Sequence, residues 1–299
     1  MSRPKALVRR GFADTRHGQV HYAEHGSGDP VLLLHQTPRS WDEYRDVLPL
    51  LGEGFRAIAM DTPGFGESAR PAGPFSIDLF ATGVLDLCDD LGLDRVALVG
   101  HHTGAVIALE AAAAAPDRVQ GLVLSGMPFV DAERRRLVAR RAPIDHVVPV
   151  PDGSHVLQLW NNRSRYYPAD RPDLLDRLVR DGLGVLDRVE EGHLAVNRYR
   201  MEERIGLVRS PTLALCGELD EFSLPDLPKI AAALPGARTA VLPGTGVPAV
   251  DHRPEQFAAA VRTFLRDLRR SPDPTAAAHT RPLTGPPIGP LTERTTIDP

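Results

Sequence analysis

His102 stands in Gly100-His101-His102-Thr103-Gly104, where two glycines bracket three residues between a short apolar run (residues 95–100) and a helical stretch (residues 104–115). An unperturbed imidazole has a pKa of about 6.5, so a histidine presented at such a junction can take or give a proton at neutral pH. Beside a polarised carbonyl, that serves water addition to an ester, elimination, enolisation or cyclisation, and none of these needs a cofactor, so none is expected. His101 should face the opposite way and sit under the sheet. With no third ligand nearby, a two-histidine metal site is not expected. Cys88 and Cys216 lie far apart in apolar runs and form neither a C-x-x-C pair nor a disulfide framework. They read as buried thiols of a reducing compartment.

Short apolar runs at residues 30–35, 55–60, 95–100, 119–125, 211–217 and 238–242 have the character of strands buried on both faces, and residues 19–24 alternate like a half-buried one. Between them, residues 41–51, 77–91, 104–115, 226–234 and 254–268 carry helical spacing, with Pro254 suited to a first helical turn. Alternation of this kind predicts βαβ units and a parallel sheet. From residue 127 to 208 the rhythm breaks into Arg-rich, short helical stretches and turns such as Pro151-Asp152-Gly153, which reads as a helical insertion. Residues 271–299 hold seven of the 28 prolines and several threonines, the composition of a disordered extension.

Three loops, each following a buried run, carry a resemblance. They are His35-Gln36-Thr37-Pro38, Asp61-Thr62-Pro63-Gly64-Phe65-Gly66-Glu67-Ser68, and the Gly100 to Gly104 frame. In that order they resemble the oxyanion loop, the D-x-x-G-x-G-x-S loop and the G-x-S-x-G nucleophile elbow of the α/β-hydrolase superfamily. The resemblance covers about residues 18–268 and implies an α/β-hydrolase fold: a mostly parallel twisted sheet flanked by helices, with an inserted helical cap. The implied segments are an N-terminal extension at 1–17, the core at 18–126 and 209–268, the cap at 127–208 and the tail at 269–299.

On this alignment the elbow's central residue is His102 where the family usually has serine, while Thr103, the motif's hydroxyl, comes one residue late. Gly217-Glu218-Leu219-Asp220 resembles the acid loop, which makes Asp220 the carboxylate. Counting back from Pro254 puts Val247 in the slot of the family's catalytic histidine; His252 is a third catalytic candidate if the loop is shifted. With nucleophile and base replaced, the serine acyl-enzyme route is closed. The implied oxyanion donors are the backbone N–H of Thr103 and that of Thr37 or Gln36. His35, His155, Trp160 and Tyr166 are the candidates for shaping or touching the substrate chamber, His35 by steadying the oxyanion loop. Asp61 and Glu67 read as loop-fixing, and Glu133-Arg134-Arg135-Arg136 as a solvated helix face.

A net charge of −4, from 35 basic residues (all but two of them arginine) and 39 acidic ones, lacks the footprint of a nucleic-acid or acidic-membrane binder. No apolar stretch nears the ~18 residues of a membrane span, and the N-terminus lacks the apolar region of a secretory signal, so the cytoplasm is the expected location. The arginine-rich, alanine-rich composition suggests a GC-rich bacterial source. The expected partner is a small-molecule substrate, and the long cap leaves a homodimer open. The functional expectation is a hydrolase-superfamily enzyme acting on a small, mainly apolar ester, lactone or carbonyl compound through His102, with Asp220 in support. The alternatives are a cofactor-free lyase, cyclase or isomerase, and a hydrolase-like ligand receptor without turnover.

Overall fold

A computed structural model describes residues 8–270 of the chain. The expected tail therefore lies outside the described residues from 271 onward, as do the first seven residues of the expected extension.

Eight strands form one sheet: β1 (Arg9–Thr15), β2 (Gly18–Gly26), β3 (Pro30–Leu34), β4 (Arg56–Met60), β5 (Val96–His101), β6 (Val119–Ser125), β7 (Thr212–Gly217) and β8 (Arg238–Leu242). Their order is β1-β2-β4-β3-β5-β6-β7-β8. The first two strands pair antiparallel, β2 is antiparallel to β4, and the remaining neighbours are parallel. The expected fold class, a mostly parallel α/β-hydrolase sheet flanked by helices, is the one observed.

The period-2 alternation of strand side chains explains why the runs are apolar throughout. Leu32, Leu34, Ile58, Met60, Leu98, Leu122 and Leu124 face one way, onto α2 (Ile77–Asp90) and α3 (Thr103–Ala114). Val31, Leu33, Ala57, Ala59, Val99, Val123 and Leu213 face the other way, onto α1 (Val47–Gly52) and Phe257, Val261 and Phe264 of the last helix. Cys88 and Cys216 are free and buried, and burial pushes the Cys88 thiol up to about 11.

Five helices lie between β6 and β7: α4 (Ala132–Val138), α5 (Ser154–Ser164), α6 (Pro172–Leu183), α7 (Val189–Arg198) and α8 (Met201–Arg204). They hold a small apolar cluster of their own, including Leu159, Tyr167, Leu174 and Leu178. Beyond β7 come α9 (Leu227–Ala233), α10 (Ala249–His252) and α11 (Pro254–Arg270), the last beginning at the proline expected to start it. Among the described residues no helix is long and apolar enough to cross a membrane.

Two elements differ from expectation. Residues 1–17 are not all extension, because Arg9–Thr15 is an edge strand in register with β2; of its seven residues only Ala13 is buried, so no apolar run announces it. Residues 41–51 do not form one helix. A 3₁₀ turn, Trp41–Tyr44, precedes α1 because the Trp41 N–H is held by Asp61 Oδ1 at 2.6 Å and the Asp42 carbonyl by the Arg45 N–H and the Arg177 guanidinium.

Candidate active site

The residue after β5 is held by sterics. His102 has φ 45° and ψ −109°, and it is the one non-glycine residue with positive φ among those described. A Cβ on Gly100 would overlap the Gly104 carbonyl, and one on Gly104 would overlap the Leu34 carbonyl, so neither position accepts a side chain. The His102 N–H donates to Ser125 O at 2.8 Å, while its carbonyl accepts from Ala105 and Val106 at 3.0 and 3.2 Å, locking the turn between β6 and the start of α3. Such a conformation costs about 1–3 kcal/mol in a non-glycine residue and persists only where the surroundings impose it.

Nε2 of His102 lies 3.1 Å from Asp220 Oδ2, with the imidazole 16% exposed and the carboxylate 1%. The contact is a close approach rather than an aligned hydrogen bond. Oδ1 of Asp220 accepts the Phe222 and Ser223 N–H groups, each at 3.1 Å. Burial pushes the Asp220 carboxyl up, but the adjacent His102 ring and these donors outweigh it and hold the group below the ordinary carboxylate value. Gly126, with φ 55°, completes the frame, since a Cβ there would come within 2.9 Å of His102 Nε2 and 3.2 Å of Asp220 Oδ2.

Contrary to the expectation that it faces the opposite way, His101 packs edge-on against the His102 ring, centroids 4.6 Å apart; it is 1% exposed, with Nε2 2.8 Å from the Val247 carbonyl and Nδ1 3.0 Å from Ser125 Oγ. A carbonyl only accepts, so Nε2 carries the proton and Nδ1 accepts from the serine hydroxyl. Burial, then the neighbouring His102, pulls His101 down to about 4, and the ring is neutral at physiological pH. Its role is to clamp the loop carrying Val247.

The oxyanion loop is braced from below. His35 donates through Nδ1 to Gln36 O at 2.9 Å and accepts the Thr62 N–H on Nε2 at 3.0 Å; it is buried and does not line the chamber. Gln36 spends its backbone N–H and its side-chain amide on Glu43, at 2.9 and 2.6 Å. The Thr37 N–H meets Thr103 Oγ1 at 3.3 Å, a long and exchangeable bond. The Thr103 N–H, at the first position of α3, has no partner within its helix. The Gln36 N–H is thus committed to a carboxylate, whereas that of Thr37 meets only a hydroxyl and that of Thr103 has no partner within its helix. Asp61 serves its loop, accepting from Trp41, Glu67 and His21.

Above His102 a chamber of about 640 Å³ opens between the strand ends and the cap, with Thr37, Thr103, Ser223 and Val247 on the core side. That volume suits a small organic ligand. Two other concavities, lined by residues such as Arg95 and Val119 in one and Pro211 and Arg238 in the other, sit at the opposite ends of the parallel strands. Ligands of open α/β sheets bind at the carboxyl ends.

His252 is not brought to the chamber. Its N–H closes a helical turn onto Pro248 O, and its Nδ1 lies 3.0 Å from Thr245 Oγ1, while Val247 lines the chamber in its stead. Burial, and then Arg253, lower the His252 pKa. Tyr166 does line the chamber, its ring edge-on to Phe222 at 5.1 Å. Trp160 packs against the cap's own apolar cluster, and His155 accepts the Val150 N–H at 3.3 Å outside the chamber.

Several lining residues carry no advance signal in the sequence. Ser223, 2% exposed, presents a hydroxyl without a partner; Phe222 follows the acid loop; Arg163 and His193 share the buried Asp145. Arg134 departs from the expected solvated face: it turns inward to Asp226 at 2.7 Å. A basic run seen alone does not say which of its members folds inward; Asp226, 92 residues away, decides it.

Residues 29–249 match the family described as alpha/beta hydrolase fold. Haloalkane dehalogenase 2 of Mycobacterium tuberculosis is 39% identical over 121 residues, 40% of this chain and 42% of that protein. The soluble epoxide hydrolase of a Corynebacterium species is 40% identical over 109 residues, 36% of this chain and 38% of that one. The chain thus spans about two fifths of the length of these curated relatives. The enol-lactonase from Burkholderia xenovorans LB400 superimposes with a TM-score of 0.70 at 22% identity, covering 86% of this chain and all of that one, a likeness of fold.

Proposed function

Because the chain belongs to the alpha/beta hydrolase family, we propose that it is an enzyme that works without a serine nucleophile, using His102 as general acid and base on a small, mainly apolar ester, lactone or carbonyl compound. The observation that carries this reading is the 3.1 Å approach of His102 Nε2 to buried Asp220 at an elbow whose backbone presents the imidazole to a ligand-sized chamber. Asp220 orients the ring and favours the tautomer protonated on Nε2, which leaves Nδ1 as the nitrogen with a lone pair for substrate. In hydrolysis, Nδ1 takes a proton from water as the water oxygen bonds to the carbonyl carbon. The carbonyl oxygen becomes an oxyanion facing the Thr103 and Thr37 N–H groups, and the proton passes to the departing alkoxide as the C–O bond breaks. A transient acyl-imidazole is the covalent form of the same reading.

Val247 favours a second reading. With an apolar side chain in the slot of the second proton carrier, one histidine must both remove and return the proton, which suits a cofactor-free isomerase, lyase or cyclase that holds an enolate in the same donors.

The test is turnover of a panel of chromogenic esters and lactones by the purified protein, with His102→Ala and Asp220→Asn in parallel. His102→Ala is expected to lower kcat by about 10²- to 10⁴-fold with the fold intact. An unchanged rate in that variant overturns the assignment; ligand binding without turnover of any substrate class favours a receptor.

A further inference from the structure

We infer that the cap wall of the chamber is a carboxylate-binding subsite centred on Arg141 and Arg165, and that the ligand is an acid: one carboxylate at the cap end, an apolar body, and the reacting carbonyl at His102. This rests on the chamber being the site, and it adds the charge of what enters it.

Four guanidiniums line the chamber, those of Arg134, Arg141, Arg163 and Arg165. Two are already paired: Arg134 with Asp226 at 2.7 Å, and Arg163 with the buried Asp145. The lining carboxylate is Glu190, and it is engaged by the Ile144 and Asp145 N–H groups at 3.0 and 3.1 Å. Arg141 and Arg165 have no carboxylate partner among the described residues; Arg165 instead donates to the Tyr166 hydroxyl and lies over that ring at 4.5 Å, an interaction with a neutral group that an incoming carboxylate can replace.

On the cap side, counted against Asp145, Asp226 and Glu190, the four guanidiniums leave a surplus of one positive charge; Asp220, on the core side beside His102, adds a negative one, so a dianion would exceed what the chamber offers. Mutual repulsion points the same way: burial, together with the charge of Arg141, lowers the Arg134 pKa. A guanidinium fork free of a carboxylate partner matches a planar carboxylate bidentately, and the chamber lining offers two. Between that wall and His102, Tyr166 and Phe222 supply an aromatic surface for the apolar body.

The test uses binding, so that it stands apart from turnover. Titrate the 299-residue chain, and its His102→Ala variant, with octanoate, 1-octanol and octyl phosphate by calorimetry. Octanoate is expected to bind at least tenfold tighter than 1-octanol and tighter than octyl phosphate, in both proteins, with affinity falling as salt rises. Arg141→Gln/Arg165→Gln should remove that preference while leaving 1-octanol within about twofold, and Arg141→Glu should invert it. Both arginines are exposed, so the variants are expected to fold; circular dichroism checks this. Equal affinity for acid and alcohol, preference for the phosphate, or a preference that survives the double substitution overturns the subsite. A preserved acid preference with no loss of turnover in His102→Ala would sink the catalytic reading alone.

Discussion

The sheet and the cap are held by different mixtures of forces. On both faces of the sheet, side chains such as Leu33, Val99, Leu98 and Leu122 are wholly buried among apolar neighbours, and hydrophobic burial supplies the cohesion. The cap has a small apolar cluster of its own, sends Val185, Val189, Val196 and Met201 into the core cluster, and is joined to the core by charge as well. Arg39, fully buried, reaches Asp181 of α6 at 2.8 Å and Asp251 of α10; Arg177 of α6 reaches back to Asp42 at 2.7 Å and Asp251 at 3.2 Å. At the other end, Arg204 and Tyr199 meet Glu110 of α3. Apolar contacts tolerate small slips, whereas charge networks are satisfied in one arrangement or not at all. Consequently the sheet sets where His102 stands, and the ionic lattice, added to the cap's apolar contacts with the core, fixes where the chamber's roof stands relative to it.

The largest expected effect comes from breaking that lattice. Arg39→Met strands Asp181 and Asp251 in a buried setting and should destabilise the protein by about 3–5 kcal/mol, read as a lowered urea midpoint. A loss below about 1 kcal/mol would mean that Arg177 alone suffices and that the contrast between sheet and cap is overstated. Next comes the core's ionisable weak point, His101. The unfolded chain takes up a proton at about pH 6.5, whereas the folded ring waits until about pH 4, so stability present above 6.5 is lost as pH falls through that window. The slope approaches about 1.4 kcal/mol per pH unit. Urea unfolding between pH 7 and 4 should show the slope in the parent and a flatter line in His101→Gln; parallel lines would refute the burial argument. Smallest is the exposed rivet between Arg70 and Asp187, at 3.0 Å. Arg70→Ala should shift stability by less than about 1 kcal/mol, and 0.5 M salt should erase the difference.

Much of the sheet is legible in the chain because a strand buried on both faces must be an apolar run, and β3 to β7 all are. The elbow is legible for a steric reason: Gly100 and Gly104 sit where no side chain fits, so their spacing survives the loss of serine between them. Asp220 is legible from its loop, and counting back from Pro254 finds Val247 at the chamber. What escapes reading is long-range pairing. Asp251 and Arg39 are separated by 212 positions, and neither carries a local mark of burial. The same holds for the chamber's arginines, whose direction depends on Asp145 and Asp226. His252 looked available in a linear count, but the turn begun at Pro248 carries it toward Thr245. Edge strand β1 hides because one exposed face and one exposed edge leave little for hydrophobicity to select.

The glycines at 100, 104 and 126 have a consequence for how this molecule could change. They shape a socket that dictates the direction of whatever is plugged in at 102 but is indifferent to its identity, since the strain falls on the backbone and is shared by any residue with a Cβ. Chemistry at this point is therefore a detachable part. One substitution can exchange a proton carrier for a hydroxyl or a carboxylate while β5, α3 and the sheet around them stay put, so a lineage could try new reactions here without first solving a new folding problem.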